Sequence, residues 1–260
     1  MNIFNIYTVK NQDEYAYEEY AMILAHILEK GLYARENFIN CKHIIMDNGV
    51  YEKAQVSTDL SSLISLANSC GILIDEIVIP DVIGNYEKSK ELYQKNYQTM
   101  YAYRDDYQFM YVAHAQNEEQ LLDAIDMVNR EKYVKLVLGI PKHSQLDRTS
   151  NSVKKILKKC KVPIHFLGIK KSFEELKSVS KLIRSCDSVQ LTYITRDYSI
   201  AEKFSDVLYN KPRLGNDINL LTDSVNSTKL KLMKTAINEE LKKYGILRWN
   251  SKRYSLGICT

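Results

Sequence analysis

A recurring beat of short apolar runs constrains this chain more than any other feature. Ile44–Met46, Ile77–Pro80, Phe109–Ala113, Leu136–Ile140, Ile164–Ile169 and Ser188–Thr192 are rich in β-branched or aromatic residues and bounded by polar residues or glycine. Runs of that length and composition read as buried strands. Their starts lie 33, 32, 27, 28 and 24 residues apart. The intervals carry apolar residues at helical spacing, such as Leu60, Leu63, Ile64 and Leu66, or Leu121, Leu122, Ile125 and Val128. Alternation of this kind predicts parallel βαβ repeats, because two parallel strands need a long crossover between them. An earlier run, Ile3–Val9, is expected to supply one more strand, with Glu14–Lys30 as its helix.

Six or seven such units in 260 residues suit an α/β fold of the (β/α) TIM-type barrel kind, with allowance for a degenerate or missing unit. A doubly wound open sheet is the competing architecture, but no Gly-x-Gly-x-x-Gly follows a strand and no P-loop is present. The barrel core is assigned to residues 1–200 and a C-terminal helical region, closing or extending the barrel, to 201–260. Asn226-Ser227-Thr228 reads as a helix start, followed by an apolar stripe of Leu230, Met233, Ile237 and Leu241 that Gly245 ends. Lys229, Lys231, Lys234, Lys242 and Lys243 decorate the same helix.

Charge adds to this division. The net charge of +4 is concentrated late: residues 1–200 hold 25 Lys and Arg against 26 Asp and Glu, and residues 201–260 hold 11 against 6. A basic excess at one end is compatible with a polyanionic partner, although a solvated helical face is the commoner reason for such Lys content. With 45% apolar and 26% charged residues, 9 Gly and 4 Pro, neither wholesale disorder nor a collagen-like chain is compatible with the composition. Cys41, Cys70, Cys160, Cys186 and Cys259 are odd in number and scattered, which suggests neither a disulfide framework nor a metal knuckle and fits a reducing compartment. The first 20 residues have no apolar core of a signal peptide, and no apolar run approaches the ~18 residues of a membrane span. A cytoplasmic protein without a membrane partner is expected.

In a barrel, functional side chains stand at the C-terminal ends of the strands. One run ends in Asp47-Asn48-Gly49-Val50-Tyr51-Glu52, and others end in Asp81, in His114-Ala115-Gln116, in Gly139-Ile140-Pro141-Lys142 and in Leu167-Gly168. The last run opens with Cys186-Asp187-Ser188-Val189. Three aspartates, a glutamine and two glycines would line one mouth. Each has a plain structural reading beside the functional one, since an Asp after a strand is often a cap and a Gly a turn. His114 and His143 also follow strands without any metal-ligand spacing, whereas His43 precedes one and His165 opens one, so both are expected to point away from the active end.

The order of these segments resembles the tRNA-guanine transglycosylase family, and most of all its short, zinc-less, phage-type relatives that insert 7-deazaguanines into DNA. Asp47-Asn48-Gly49-Val50-Tyr51-Glu52 is similar to the family's Asp-Ser-Gly-Gly-Tyr/Phe-Gln. Asp81, Gln116, Leu138-Gly139 and Phe166-Leu167-Gly168-Ile169 follow in family order, and Cys186-Asp187-Ser188-Val189 resembles the stretch that carries the nucleophile. The resemblance spans about residues 40 to 196 in six short matches, none diagnostic alone.

The resemblance implies a pentosyltransferase that replaces guanine in a polynucleotide with a 7-deazaguanine derivative, with DNA favoured over tRNA. Asp187 would be the covalent nucleophile and Asp47 the group exchanging protons with the departing and incoming bases. Asp81, Gln116 and the backbone of Gly139 would bond the polar edge of the base, and Tyr51 and Leu167, with Gly168 beside it, would pack against its faces. Lys142 and Arg196 would contact phosphates. No cofactor is implied, and no metal: the family's Cys-x-Cys-x-x-Cys and histidine have no counterpart. Val50 replaces the second glycine, Glu52 the glutamine, and Arg196 lies further from Asp187 than the family's arginine does. A protein partner or a homodimer is compatible with these features. Two other readings stand beside this one: a base-releasing N-glycosidase or nucleoside hydrolase, and an inert nucleic-acid-binding barrel.

Overall fold

A computed structural model describes residues 1–7, 9–49, 59–142, 144–168, 173–188, 224–226, 228–230, 232, 235 and 239. Eight strands, β1 (Asn2–Asn5), β2 (Tyr20–Leu24), β3 (His43–Asp47), β4 (Glu76–Val78), β5 (Gln108–Val112), β6 (Leu136–Pro141), β7 (Ile164–Leu167) and β8 (Ser185–Ser188), form one closed barrel in sequence order. Every pairing is parallel, and β8 closes on β1 through Asn2↔Ser185, Ile3↔Cys186, Phe4↔Asp187 and Asn5↔Ser188. The chain is therefore a (β/α) barrel with its full set of eight strands.

The crossovers form where amphipathic stretches begin with a capping side chain. Helix α2 (Leu60–Ser69) starts at Asp59, α3 (Tyr86–Lys95) at Asn85, α5 (Glu118–Arg130) at Asn117 and α6 (Asn151–Leu157) at Ser150, and each cap accepts a bond from a first-turn amide. Leu60, Leu63 and Ile64 of α2, and Leu121, Ile125 and Val128 of α5, are buried against the strands. Three further helices are α1 (Ala25–Leu28), α4 (Tyr97–Ala102) and α7 (Phe173–Val179).

The expected helix over Glu14–Lys30 is corrected. Val9–Tyr17 is a 3-10 segment, Tyr20–Leu24 is strand β2, and only Ala25–Leu28 is α-helical. Ala-Met-Ile-Leu is compatible with a helix on local propensity, but here it is covered on both faces, and its backbone pairs with β3 from Tyr20↔His43 to Leu24↔Asp47. Ring closure overrode the local preference, because without β2 the edges of β1 and β3 would stand unpaired. The 3-10 segment is held by its own aromatic cluster, in which the Tyr7 hydroxyl bonds Glu18 (2.5 Å) and the Tyr15 hydroxyl donates to the Met22 carbonyl (3.0 Å).

Near the C-terminus, Asn226 caps a helical turn by accepting from the Lys229 amide (2.9 Å), as its sequence position predicts. The preceding Val225 is bonded through both backbone groups to the Asn11 side chain (2.8 and 2.9 Å), which ties this segment to the 3-10 turn. Among the described residues no helix is long and apolar enough to cross a membrane.

Candidate active site

Asp187 stands in β8 with its side chain about one-tenth exposed (11%). Its Oδ1 accepts from the Gly168 amide (2.8 Å) and lies 3.2 Å from His165 Nε2. Gly168 has φ +68°, a left-handed conformation that glycine adopts without a steric penalty, and this turn aims its N–H back at β8. The Gly168 carbonyl is held in turn by Arg148 Nη2 (2.8 Å). Arg148 is itself wholly buried, paired with Glu175 (2.7 Å), bonded to the Ile140 carbonyl (3.0 Å) and stacked over the Phe166 ring (4.4 Å). One guanidinium thus joins the ends of β6 and β7, and at the Leu167 carbonyl (3.5 Å) it meets the peptide whose N–H touches Asp187.

Asp47 ends β3, and its Oδ1 accepts from the Gly49 amide (2.8 Å), an aspartate turn that leaves the side chain half-buried on the rim. The next residue, Asn48, is buried and donates both to the Ile79 carbonyl (2.9 Å) and to Asp81 Oδ1 (2.7 Å). The other oxygen of Asp81 meets His114 Nε2 at 2.6 Å, while His114 Nδ1 accepts from the Gly84 amide (3.1 Å). An Nδ1 that accepts places the imidazole proton on Nε2, facing Asp81. Asp81 is therefore a buried carboxylate gripped at both oxygens by side chains from β3 and β5.

The remaining expected residues divide three ways. Gln116 follows β5 with its amide turned back to the His114 carbonyl (2.8 Å). Gly139 lies in β6, its carbonyl accepting from Ala113 (2.9 Å), and Leu167 and Met110 close over it without room for a side chain. Leu167 ends β7, and the Lys142 amide donates to its carbonyl (2.9 Å) while the Lys142 stem packs beside Gly168. Tyr51 and Arg196 lie outside the described residues.

Sequence reasoning missed the groups that organise this rim. His165, expected to face away from it, reaches Asp187, because Phe166 pairs with Cys186 and so brings His165 beside Ser185 and Asp187 on the same face. Asn48 and His114 were visible as polar strand-end residues, but their convergence on Asp81 was not. Arg148 gave no signal at all, since an arginine in a polar loop is ordinarily solvated. Cys186, adjacent to the site, is fully buried; burial first and the Asp187 charge second push its thiol well up, so it stays protonated. Among the described residues no group of three His, Cys, Asp or Glu side chains is placed to hold a metal.

No family model matches the chain, and no curated protein matches it. Among solved structures it is similar to a mandelate racemase/muconate lactonizing enzyme-like protein from Rubrobacter xylanophilus, with 14% identity, a TM-score of 0.46, and 75% of this chain and 54% of that one covered. It is also similar to the Amycolatopsis orientalis BexX/CysO complex (10% identity, TM-score 0.47, 97% and 94% covered) and to the tryptophan synthase complex from Pyrococcus furiosus (12%, 0.42, 76% and 90%). The chain spans about half the length of the first of these. At such identities no function is carried across.

Proposed function

We propose that the protein is a base-exchange glycosyltransferase that removes guanine from a polynucleotide, DNA rather than tRNA, and inserts a 7-deazaguanine. The observation that carries this reading is the Asp187 carboxylate: one oxygen is clamped by a backbone amide and a buried imidazole, on a strand end where a barrel presents its reactive groups. A nucleophile needs that arrangement, held in place yet still partly open.

In the first half-reaction an Asp187 oxygen forms a bond to C1′ as the glycosidic C–N bond breaks. The electron pair of that bond leaves on the purine, which takes a proton from Asp47. In the second half the incoming 7-deazaguanine gives its N9 proton to Asp47, N9 attacks C1′, and the ester C–O bond breaks to restore the Asp187 carboxylate. Atoms and charge balance without a redox step. Asp81, held by Asn48 and His114, offers one fixed polar edge to the base. The target base must leave its stack, which costs a few kcal/mol and favours single-stranded or flexible sites.

Nucleoside mass spectrometry of DNA and tRNA from cells expressing wild type or Asp187→Ala, supplied with 7-deazaguanine precursors, tests the proposal. A deazaguanosine in DNA that vanishes in the variant is the expected result. Abasic sites without incorporation would instead identify a base-releasing glycosidase, and an unmodified polymer with intact binding an inert barrel.

A further inference from the structure

A line of buried polar side chains runs up the inside of the barrel to Asp187. At the N-terminal floor, Glu76 is fully buried at the start of β4 and is paired with His43 Nε2 (3.0 Å) and Arg184 Nη2 (2.9 Å). Arg184 also donates to Gln108 Oε1 (3.1 Å) and, through Nε, to Ser185 Oγ (3.1 Å). Ser185 Oγ lies 2.8 Å from His165 Nδ1, and His165 Nε2 lies 3.2 Å from Asp187 Oδ1. His165 is wholly buried, with the Phe4 ring edge-on at 5.8 Å.

The carboxylate at the top of this line determines its direction. Ionised Asp187 can only accept, so His165 donates from Nε2, and Nδ1 of the neutral ring is left to accept from the Ser185 hydroxyl, whose oxygen accepts from Arg184. The Gly168 amide arrives at the same oxygen, Oδ1. Among the described residues no donor is bonded to Oδ2.

We propose that His165 is a positioning residue for Asp187: with the Gly168 amide it clamps Oδ1, its Nε2–H tautomer is selected by the acceptor-only carboxylate and matched by the Ser185 hydroxyl at Nδ1, and Oδ2 is the oxygen left to react. The clamp and the tautomer stand on geometry alone, whereas the reacting role of Oδ2 rests on the base-exchange reading. Two donors on one oxygen draw charge toward it and hold the carboxylate plane, so that the other oxygen meets C1′ in one orientation rather than many.

Two measurements separate the clamp from the reaction. In the intact protein labelled with 15N-histidine, His165 should show a protonated Nε2 and a bare Nδ1, with a slowly exchanging Nε2 proton that is lost in Asp187→Ala. A protonated Nδ1 with a bare Nε2 overturns the proposal whatever the protein catalyses. In the guanine-exchange assay, a folded His165→Met is expected to lose on the order of 10- to 100-fold in kcat with KM for the polynucleotide unchanged, and His165→Gln, which keeps a donor near Nε2, to recover most of it. Wild-type kcat in a folded His165→Met overturns the positioning role. If the wild type exchanges no base, the functional reading fails, and the nitrogen assignment still decides the clamp.

Discussion

Asp187 and Asp47 are the same residue in two surroundings. Asp187 is nearly buried and held by a backbone amide and an imidazole; Asp47 is half-buried and held by one turn amide. A carboxylate fixed by donors suits attack, and one nearer solvent suits proton exchange. Asp187→Ala is expected to abolish base exchange, and Asp47→Ala to lower it about 100-fold or more, read as incorporated label per turnover. Gly49 offers a test of stability. Its φ is +73°, and an added Cβ would stand 2.6 Å from His26 Nδ1. Gly49→Ala should therefore cost about 1–3 kcal/mol in urea denaturation, from backbone strain and the displaced ring. Asp47 and Asp81 were legible because strand ends can be read from apolar runs, whereas Asp187 was read at the opening of a Ser188–Thr192 run and lies instead inside β8, Ser185–Ser188. His165 was not legible, because its partner is set by the register of β7 on β8.

At the scale of elements, Arg148 makes the loops after β6 and β7 one unit with α7. From the loop after β6 it bonds the Ile140 carbonyl of β6 and the Gly168 carbonyl after β7, and it pairs with the buried Glu175 of α7. Arg148→Met takes the guanidinium partner from the buried Glu175 carboxylate, and about 3–5 kcal/mol of stability should be lost by chemical denaturation. The double variant Arg148→Met/Glu175→Gln should recover part of that loss without recovering the Gly168 carbonyl contact, so its base exchange should stay low while its midpoint rises. The helices were the legible elements: α2 and α5 announced themselves by apolar stripes, and the structure adds their caps, Asp59 and Asn117. Strand β2 was not legible. Tyr20–Leu24 carries no alternation, and a short apolar run is equally compatible with helix or strand until its neighbours are known.

Across the whole molecule, the buried floor makes acid stability depend on Glu76. Burial works to raise its carboxyl, but the hydrogen bond from His43 and the charge of Arg184 outweigh that, and it is held below its ordinary value of 4.5. A folded-state value below the unfolded one means stabilisation that is present above the unfolded value and lost as pH falls through the folded one. Asp123, lowered by Lys90 and Tyr86, has the same sign, and Asp75, raised by burial, the opposite one and offsets part. Thermal midpoints should fall as pH drops below about 4.5, and Glu76→Gln should flatten that slope while lowering the midpoint at neutral pH. At the alkaline end, burial pushes the Cys41 thiol up to about 12, so stability is expected to decline as pH rises above 9.0, the ordinary thiol value. Half-buried Cys160 and buried Cys186, Tyr7 and Tyr15 are shifted in the same direction, so Cys41→Ser should make that decline shallower, not abolish it, in the same thermal scans.

What the sequence determined by itself was the repeat: apolar runs about thirty residues apart, stripes at helical spacing between them, and Asp47 and Asp81 where two of the runs end. These are local properties, since period, cap and turn chemistry act over a few residues. Only the tertiary structure decided that Tyr20–Leu24 is a strand, that β8 closes on β1, and that His165, Arg148 and Asn48 serve the rim. Those outcomes depend on which strands become neighbours and in what register. Residues such as His165 and Asp187, 22 positions apart, meet through sheet pairing that no local pattern encodes.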